Sequence, residues 1–207
     1  KQNDAKDKDV FKQINELDDR PIIAVLPGSR VQEINLKLPI MLKAVEDLKD
    51  YQVIIAAAPS ISKELYGKYI NGKKNIKIIY KDTYNILNQS SCAIVTSGTA
   101  TLETALFKVP QVVCYKSSWI SYQIAKKLIK VKYISLVNLI LDKEAVKELI
   151  QNDLTPYKIK SELDLILNSS KRKSVLECYN HLEKKCGGIG ASKITANEML
   201  KTIQLRS

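Results

Sequence analysis

Pro21-Ile22-Ile23-Ala24-Val25-Leu26-Pro27-Gly28-Ser29-Arg30 decides the fold: a short, continuous apolar run is stopped by proline and glycine and followed by a helical pattern. A strand apolar at every position has both faces covered, as in a parallel sheet flanked by helices. Ser97-Gly98-Thr99-Ala100-Thr101-Leu102-Glu103 follows Cys92 to Val95 in the same way. At such strand-to-helix junctions several backbone amides lack partners and the helix dipole is positive, so two of them in one sheet would suit a nucleotide diphosphate.

Further apolar runs lie at Tyr51 to Ala57, Ile76 to Tyr80 and Gln111 to Tyr115. Helical spacing fills the gaps. Leu38, Met41, Leu42, Val45 and Leu48 fall on one stripe, with Pro39 expected in the first turn, and Leu65, Tyr69 and Ile70 mark a second. The alternation predicts an α/β fold, a doubly wound parallel sheet. After about Lys143 the strands are expected to stop. Helices are then expected at Ala145 to Ile150, Pro156 to Leu167, Ser170 to Lys185 and Ser192 to Ile203, with Gly187-Gly188 separating the last two. Residues 1–20 read as a linker or incoming helix, and 21–207 as one domain with C-terminal helices.

The chain has 207 residues, 45% of them hydrophobic, enough for one good core. Its 33 Lys+Arg against 22 Asp+Glu give +11, which favours anionic partners: a phosphorylated metabolite, nucleic acid or an anionic membrane surface. Arginine is rare. Only Arg20, Arg30, Arg172 and Arg206 occur, so Arg30 in a glycine-containing turn stands out. Cys92, Cys114, Cys178 and Cys186 sit inside apparent strands or helices without paired metal-ligand spacing, which favours a reduced, cytoplasmic setting and no metal. No apolar run approaches a membrane span, and Lys1-Gln2-Asn3-Asp4 does not open a signal peptide. The missing initiator methionine suggests a piece of a longer protein.

In the first turn Gly28 permits close approach of backbone, Ser29 is positioned to cap the next helix, and Arg30 can fork onto phosphate oxygens. Glu33 lies one turn on. The plainer alternative is an ordinary turn with Arg30 paired to Glu33. In the second turn, hydroxyls and amides of Ser97 to Thr101 concentrate at a helix N-terminus. There Glu103 either accepts from ribose hydroxyls or merely offsets the dipole, worth about 0.3 to 1 kcal/mol at a surface.

Together these segments resemble the bacterial lipid-A-disaccharide synthase family. The resemblance runs through Leu-Pro-Gly-Ser-Arg (26–30) with Glu33-Ile34, Ser-Gly-Thr-Ala-Thr-Leu-Glu (97–103) with Ala105-Leu106, and Val109-Pro110-Gln111-Val112-Val113-Cys114-Tyr115. Val131 to Leu136 leading to Asn138-Leu139-Ile140, Glu148 to Gln151 before Thr155-Pro156, and Gly190-Ala191-Ser192 follow in family order. The match covers about 21 to 205, corresponding to the C-terminal half of that enzyme.

The resemblance implies the Rossmann-like C-terminal domain of a GT-B glycosyltransferase, holding a UDP-sugar donor while an N-terminal domain holds the lipid acceptor. The family joins UDP-2,3-diacylglucosamine to 2,3-diacylglucosamine 1-phosphate, forming the lipid A disaccharide and releasing UDP, with no cofactor and no metal. By similarity the substrate-binding residues are Gly28, Ser29, Arg30, Glu33, Ser97, Gly98, Thr99, Ala100, Thr101, Glu103, Tyr115 and Asn138. Arg30 and Asn138 are the catalytic pair in that reading. This chain has Val137 where the family usually has proline before the asparagine. The piece alone is expected to bind donor without turnover, and the family expectation is a homodimer.

Trp119 to Lys130 mixes aromatic and aliphatic groups with lysines, which would suit peripheral contact with an anionic inner leaflet or a helix packed on the sheet. Two other classes stay open at this stage. One is a UDP-sugar epimerase or other UDP-sugar transferase of the same fold. The other is a basic nucleic-acid-binding module, disfavoured because the lysines are spread without an arginine-rich or aromatic reading face.

Overall fold

The computed structural model describes residues 9–73, 75–118, 132–168, 170–187 and 195–200. Its centre is a six-stranded, all-parallel sheet in the order β3-β2-β1-β4-β5-β6. The strands are β1 (Ile22–Leu26), β2 (Gln52–Ala57), β3 (Ile76–Tyr80), β4 (Ser90–Thr96), β5 (Gln111–Tyr115) and β6 (Lys147–Ile150). β1 is buried at every position, and so is β2, as strands covered on both faces require. The first five expected strands are present, β4 being longer at both ends than the apolar run predicted.

Between them lie α1 (Val31–Val45), α2 (Lys63–Ile70), α3 (Thr83–Gln89), α4 (Thr99–Leu106) and α5 (Leu136–Leu141), followed by α6 (Pro156–Asn168) and α7 (Ser170–Lys185). On one face of the sheet, Ile23, Val25, Val53, Ile55 and Ile94 pack with Ile34, Leu38 and Met41 of α1, Tyr66 of α2, and Ile159, Leu163 and Ile166 of α6. On the other, Ala24, Ile54 and Val95 meet Phe11 and Ile86 of α3. Val113 meets Ala105 of α4, Val137 and Leu141 of α5, and Val175, Tyr179 and Leu182 of α7. Helices therefore cover both faces. Residues 9–14 are helical, and Phe11 anchors them to the second face.

Two local expectations are corrected. Pro39 lies in the interior of α1 rather than in its first turn, because the helix begins at Val31. Proline removes one intrahelical donor, and the helix tolerates the loss where Asn35 and Pro39 both face solvent. The second correction concerns 145–150, where β6 replaces the expected helix and pairs in parallel with β5, Cys114 opposite Leu149. The sheet decides the outcome: β5 offers an open edge whose backbone groups pair with 147–150, and Asn138 Oδ1 anchors the turn before them by accepting from the amides of Ala145 (2.8 Å) and Val146 (3.0 Å). The Ala145 to Ile150 pattern carried no record of that edge.

The expected helix from Ser192 is seen as a helical segment at 195–200. Among the described residues no helix is long and apolar enough to cross a membrane. The lysine-rich stretch at Trp119 to Lys130 and the Gly190-Ala191-Ser192 motif lie outside the described residues.

Candidate functional site

The strand order places the reversal of winding between β1 and β4, since β1 leads through α1 toward β2 while β4 leads through α4 toward β5. Crevices at the carboxyl ends of strands at such a point are where open α/β sheets hold ligands. A cleft of about 480 Å³ opens there. Its lining includes Gly28, Ser29, Arg30 and Glu33 from the first turn, Thr96 to Ala100 and Glu103 from the second, and Ala56 to Pro59 from the end of β2 onward. The volume is in the range of small-molecule sites.

Both turns are built on glycines that other residues would strain. Gly28 has φ +104°, and a methyl group there would lie 2.4 Å from Glu33 Oε2. Gly98 has φ +150°, and a methyl group there would meet nothing within 4 Å. The first glycine lets the turn fold over Glu33, and the second leaves room on the cleft side. In α1 the first intrahelical bond is Ile34 N–H to Arg30 O (3.0 Å), so the amides of Val31, Gln32 and Glu33 precede it. In α4 the first is Thr101 N–H to Gly98 O (3.2 Å), leaving those of Thr99 and Ala100 ahead of it. Two positive helix ends thus open onto one space.

Arg30 is the N-cap residue of α1, and the Ser29 side chain does not cap the helix as expected: no side-chain cap bond forms at this end. The Arg30 side chain is 82% exposed and its Nη1 lies 3.6 Å from Glu33 Oε1. The plain pairing foreseen in the sequence is therefore present. At that exposure and distance it holds Arg30 weakly.

The structure separates the expected site residues into two groups. Gly28, Ser29, Arg30, Glu33, Ser97, Gly98, Thr99, Ala100 and Glu103 line the cleft together. Thr101, Tyr115 and Asn138 lie outside its lining. Thr101 is fully buried and its Oγ1 donates to Gly98 O (2.8 Å), holding the turn from beneath. Tyr115 ends β5, paired with Ile150. Ser97 lines the cleft, yet its hydroxyl is engaged, donating to Ile134 O (2.9 Å).

Asn138 is fully buried, with both ends of its amide committed. Besides accepting from Ala145 and Val146, it donates through Nδ2 to Val146 O (2.8 Å) and Glu148 Oε1 (2.9 Å). Glu148 also accepts from the amides of Ile134 and Ser135, each at 2.9 Å, and from the Ser135 hydroxyl at 2.7 Å. A polar bracket therefore runs from β6 through Asn138 and Glu148 to residues 134–135, and from Ile134 O to Ser97 on the cleft wall. As placed, Asn138 shapes the wall rather than reaching into the space.

Sequence reasoning missed three features. Thr96 lines the cleft, is 5% exposed, and its buried Oγ1 has no hydrogen-bond partner. Lys37 is 2% exposed and its Nζ lies 4.0 Å from Glu33 Oε2. Burial pulls its pKa below the ordinary lysine value, with Glu33 opposing the shift. A lysine adjoining the Ile34, Leu38, Met41 stripe and four residues after a glutamate was the available signal. Glu148 was the third, hidden by the expectation of a helix.

The cysteines are free. Burial raises the Cys92 thiol to about 12 and pushes Cys114 up as well.

Sheet order and cleft define an α/β fold shared with solved GT-B glycosyltransferases. One is a glycosyltransferase from Rickettsia africae ESF-5, with a TM-score of 0.63 at 14% identity, covering 98% of this chain and 53% of that one. The sequence goes further than the fold. The lipid-A-disaccharide synthetase family model matches residues 1–198, and the chain belongs to that family. It is 33% identical over 188 residues to the lipid-A-disaccharide synthase of Anaeromyxobacter dehalogenans (strain 2CP-1 / ATCC BAA-258), covering 87% of this chain and 49% of the relative. With that of Syntrophus aciditrophicus (strain SB) it shares 37% identity over 195 residues, 90% of this chain and 51% of the relative. The chain spans about half the length of the curated relatives it matches.

Proposed function

We propose that the cleft between the Gly28 and Gly98 turns holds the diphosphate of a UDP-sugar, and that this chain is the donor-binding half of a lipid-A-disaccharide synthase. The single observation that carries the reading is the convergence of two amide-rich helix ends on one cleft at the reversal of sheet winding, in a chain of this family. The reaction so proposed transfers the diacylglucosamine of UDP-2,3-diacylglucosamine to 2,3-diacylglucosamine 1-phosphate and releases UDP.

In such a transfer the bond from the sugar to the phosphate oxygen breaks, and negative charge grows on the departing UDP. Preorganised donors aimed at that charge lower the barrier most. The amides at the start of α1, those of Thr99 and Ala100, and the Arg30 guanidinium fit that task. Glu103, at the cleft edge, suits acceptance from ribose hydroxyls. The acceptor and its general base belong to the other half of the relatives' length in this reading, so the chain alone binds donor without turnover. Acylated substrates favour peripheral contact with the inner face of the inner membrane, and a homodimer is consistent with the resemblance.

Titration calorimetry of the chain with UDP tests the nucleotide site: saturable binding supports it, and none removes it. The transfer is tested on the whole protein by formation of disaccharide from the two lipid substrates. Tighter, steeply salt-dependent binding of random oligonucleotide than of UDP would instead support the nucleic-acid alternative.

A further inference from the structure

Within the nucleotide-site reading, we infer that Lys37 is the standing counter-ion of Glu33 and so releases Arg30 to the diphosphate, making it a positioning residue.

Glu33 presents a carboxylate in the same cleft as the proposed diphosphate. It is tucked under the Gly28 turn, where a single methyl group would touch its Oε2. Two cations flank it. Arg30 approaches Oε1 from solvent at 3.6 Å, and Lys37 approaches Oε2 from the protein interior at 4.0 Å. Their surroundings differ sharply, the Arg30 side chain being 82% exposed and that of Lys37 only 2%.

The exposed partner is free to swing and the buried one is not. An arriving phosphate draws Arg30 away from Glu33. Without Lys37 that move would leave a bare carboxylate beside the phosphate, and the two like charges would oppose binding. With Lys37 in place, Glu33 stays compensated throughout. A buried lysine is costly unless paired, and an apolar side chain at this 2% exposed position would avoid that cost. The lysine is thus placed for its charge rather than its packing.

The test is a double-mutant cycle in UDP affinity, measured by calorimetry on the chain with Lys37→Met, Glu33→Gln and the double variant. Circular-dichroism melting confirms that each is folded, and Lys37→Gln replaces Met should the thioether not pack. Lys37→Met is expected to weaken UDP binding roughly tenfold in the wild-type background, an ordinary size for a coupling between sites. In the Glu33→Gln background the same change is expected to cost less than about twofold, because no carboxylate remains to compensate. Equal weakening in both backgrounds, or none in the first, overturns the inference while leaving the nucleotide reading intact. Failure of the wild-type chain to bind UDP overturns both.

Discussion

Replacing Asn138 by alanine distinguishes a wall-shaping residue from a ligand contact. The side chain is fully buried and makes four hydrogen bonds, to the amides of Ala145 and Val146, to the carbonyl of Val146 and to the Glu148 carboxylate. Truncation strands two amide donors and a carbonyl at residues 7% and 1% exposed. Each unsatisfied buried group costs about 1 to 3 kcal/mol, and water entering the space left behind offsets part of the sum. The expected loss is roughly 3 to 5 kcal/mol of folding stability. Urea unfolding followed by circular dichroism reads it directly. UDP titration of the folded variant, at a temperature below its transition, is expected to show affinity within about threefold of the parent, since the side chain touches no part of the cleft. Asn138→Asp keeps both acceptor bonds and sets a second carboxylate beside Glu148, so a similar or larger loss is expected near neutral pH. A loss below about 1 kcal/mol accompanied by abolished UDP binding would refute the argument and return Asn138 to the ligand.

Arg30→Ala is expected to weaken UDP binding by about 1.5 to 3 kcal/mol, the worth of a charged hydrogen bond. It should change folding stability by well under 1 kcal/mol, because its pairing with Glu33 is exposed; calorimetry and urea unfolding check the two halves. Gly28→Ala combines a positive φ with a contact at 2.4 Å to Glu33 Oε2, so it should destabilise by roughly 1 to 3 kcal/mol and displace Glu33. Lys37 has its pKa lowered in the folded chain below 10.5, so between the lowered value and 10.5 the unfolded chain binds more protons and stability rises with pH. The stability gap between Lys37→Met and the parent should therefore narrow as unfolding is measured from neutral toward pH 10, with Glu33, Arg30 and Cys114 the charged or titratable neighbours. Cys92, buried with its thiol raised to about 12, should resist alkylation at neutral pH while half-buried Cys186 reacts, as peptide mass mapping would show.

What the sequence made legible was whatever depends on local period and on single turn residues. Ile22 to Leu26 is apolar throughout and Gln111 to Tyr115 nearly so because both faces are covered, and their alternation with helical stripes carried the first five strands of the sheet. Gly28 and Gly98 were visible as turn formers, and the cleft they bound was expected from the chemistry of helix ends. What stayed hidden depends on contacts far apart in the chain. Residues 147–150 became a strand because β5, far back in the chain, offers an edge, and Asn138, on a separate helix, anchors the turn before them. Thr96 lay just past the Cys92 to Val95 run, and only the folded sheet shows it closing β4 at the cleft with its hydroxyl buried and unpartnered. Lys37 adjoined an apolar stripe, where a lysine ordinarily extends its head to water, and nothing local shows that its ammonium instead ends buried beside Glu33.

The central claim is that two turns, 70 residues apart in sequence by their glycines (28 and 98), jointly grip one diphosphate. Amide chemical-shift mapping of the isotopically labelled chain during UDP titration tests it most directly. The account predicts saturable shifts, with one common affinity, at Ser29 to Gln32 and at Gly98 to Ala100. Shifts confined to one of the two turns, or absent from both while UDP binds elsewhere, would contradict it.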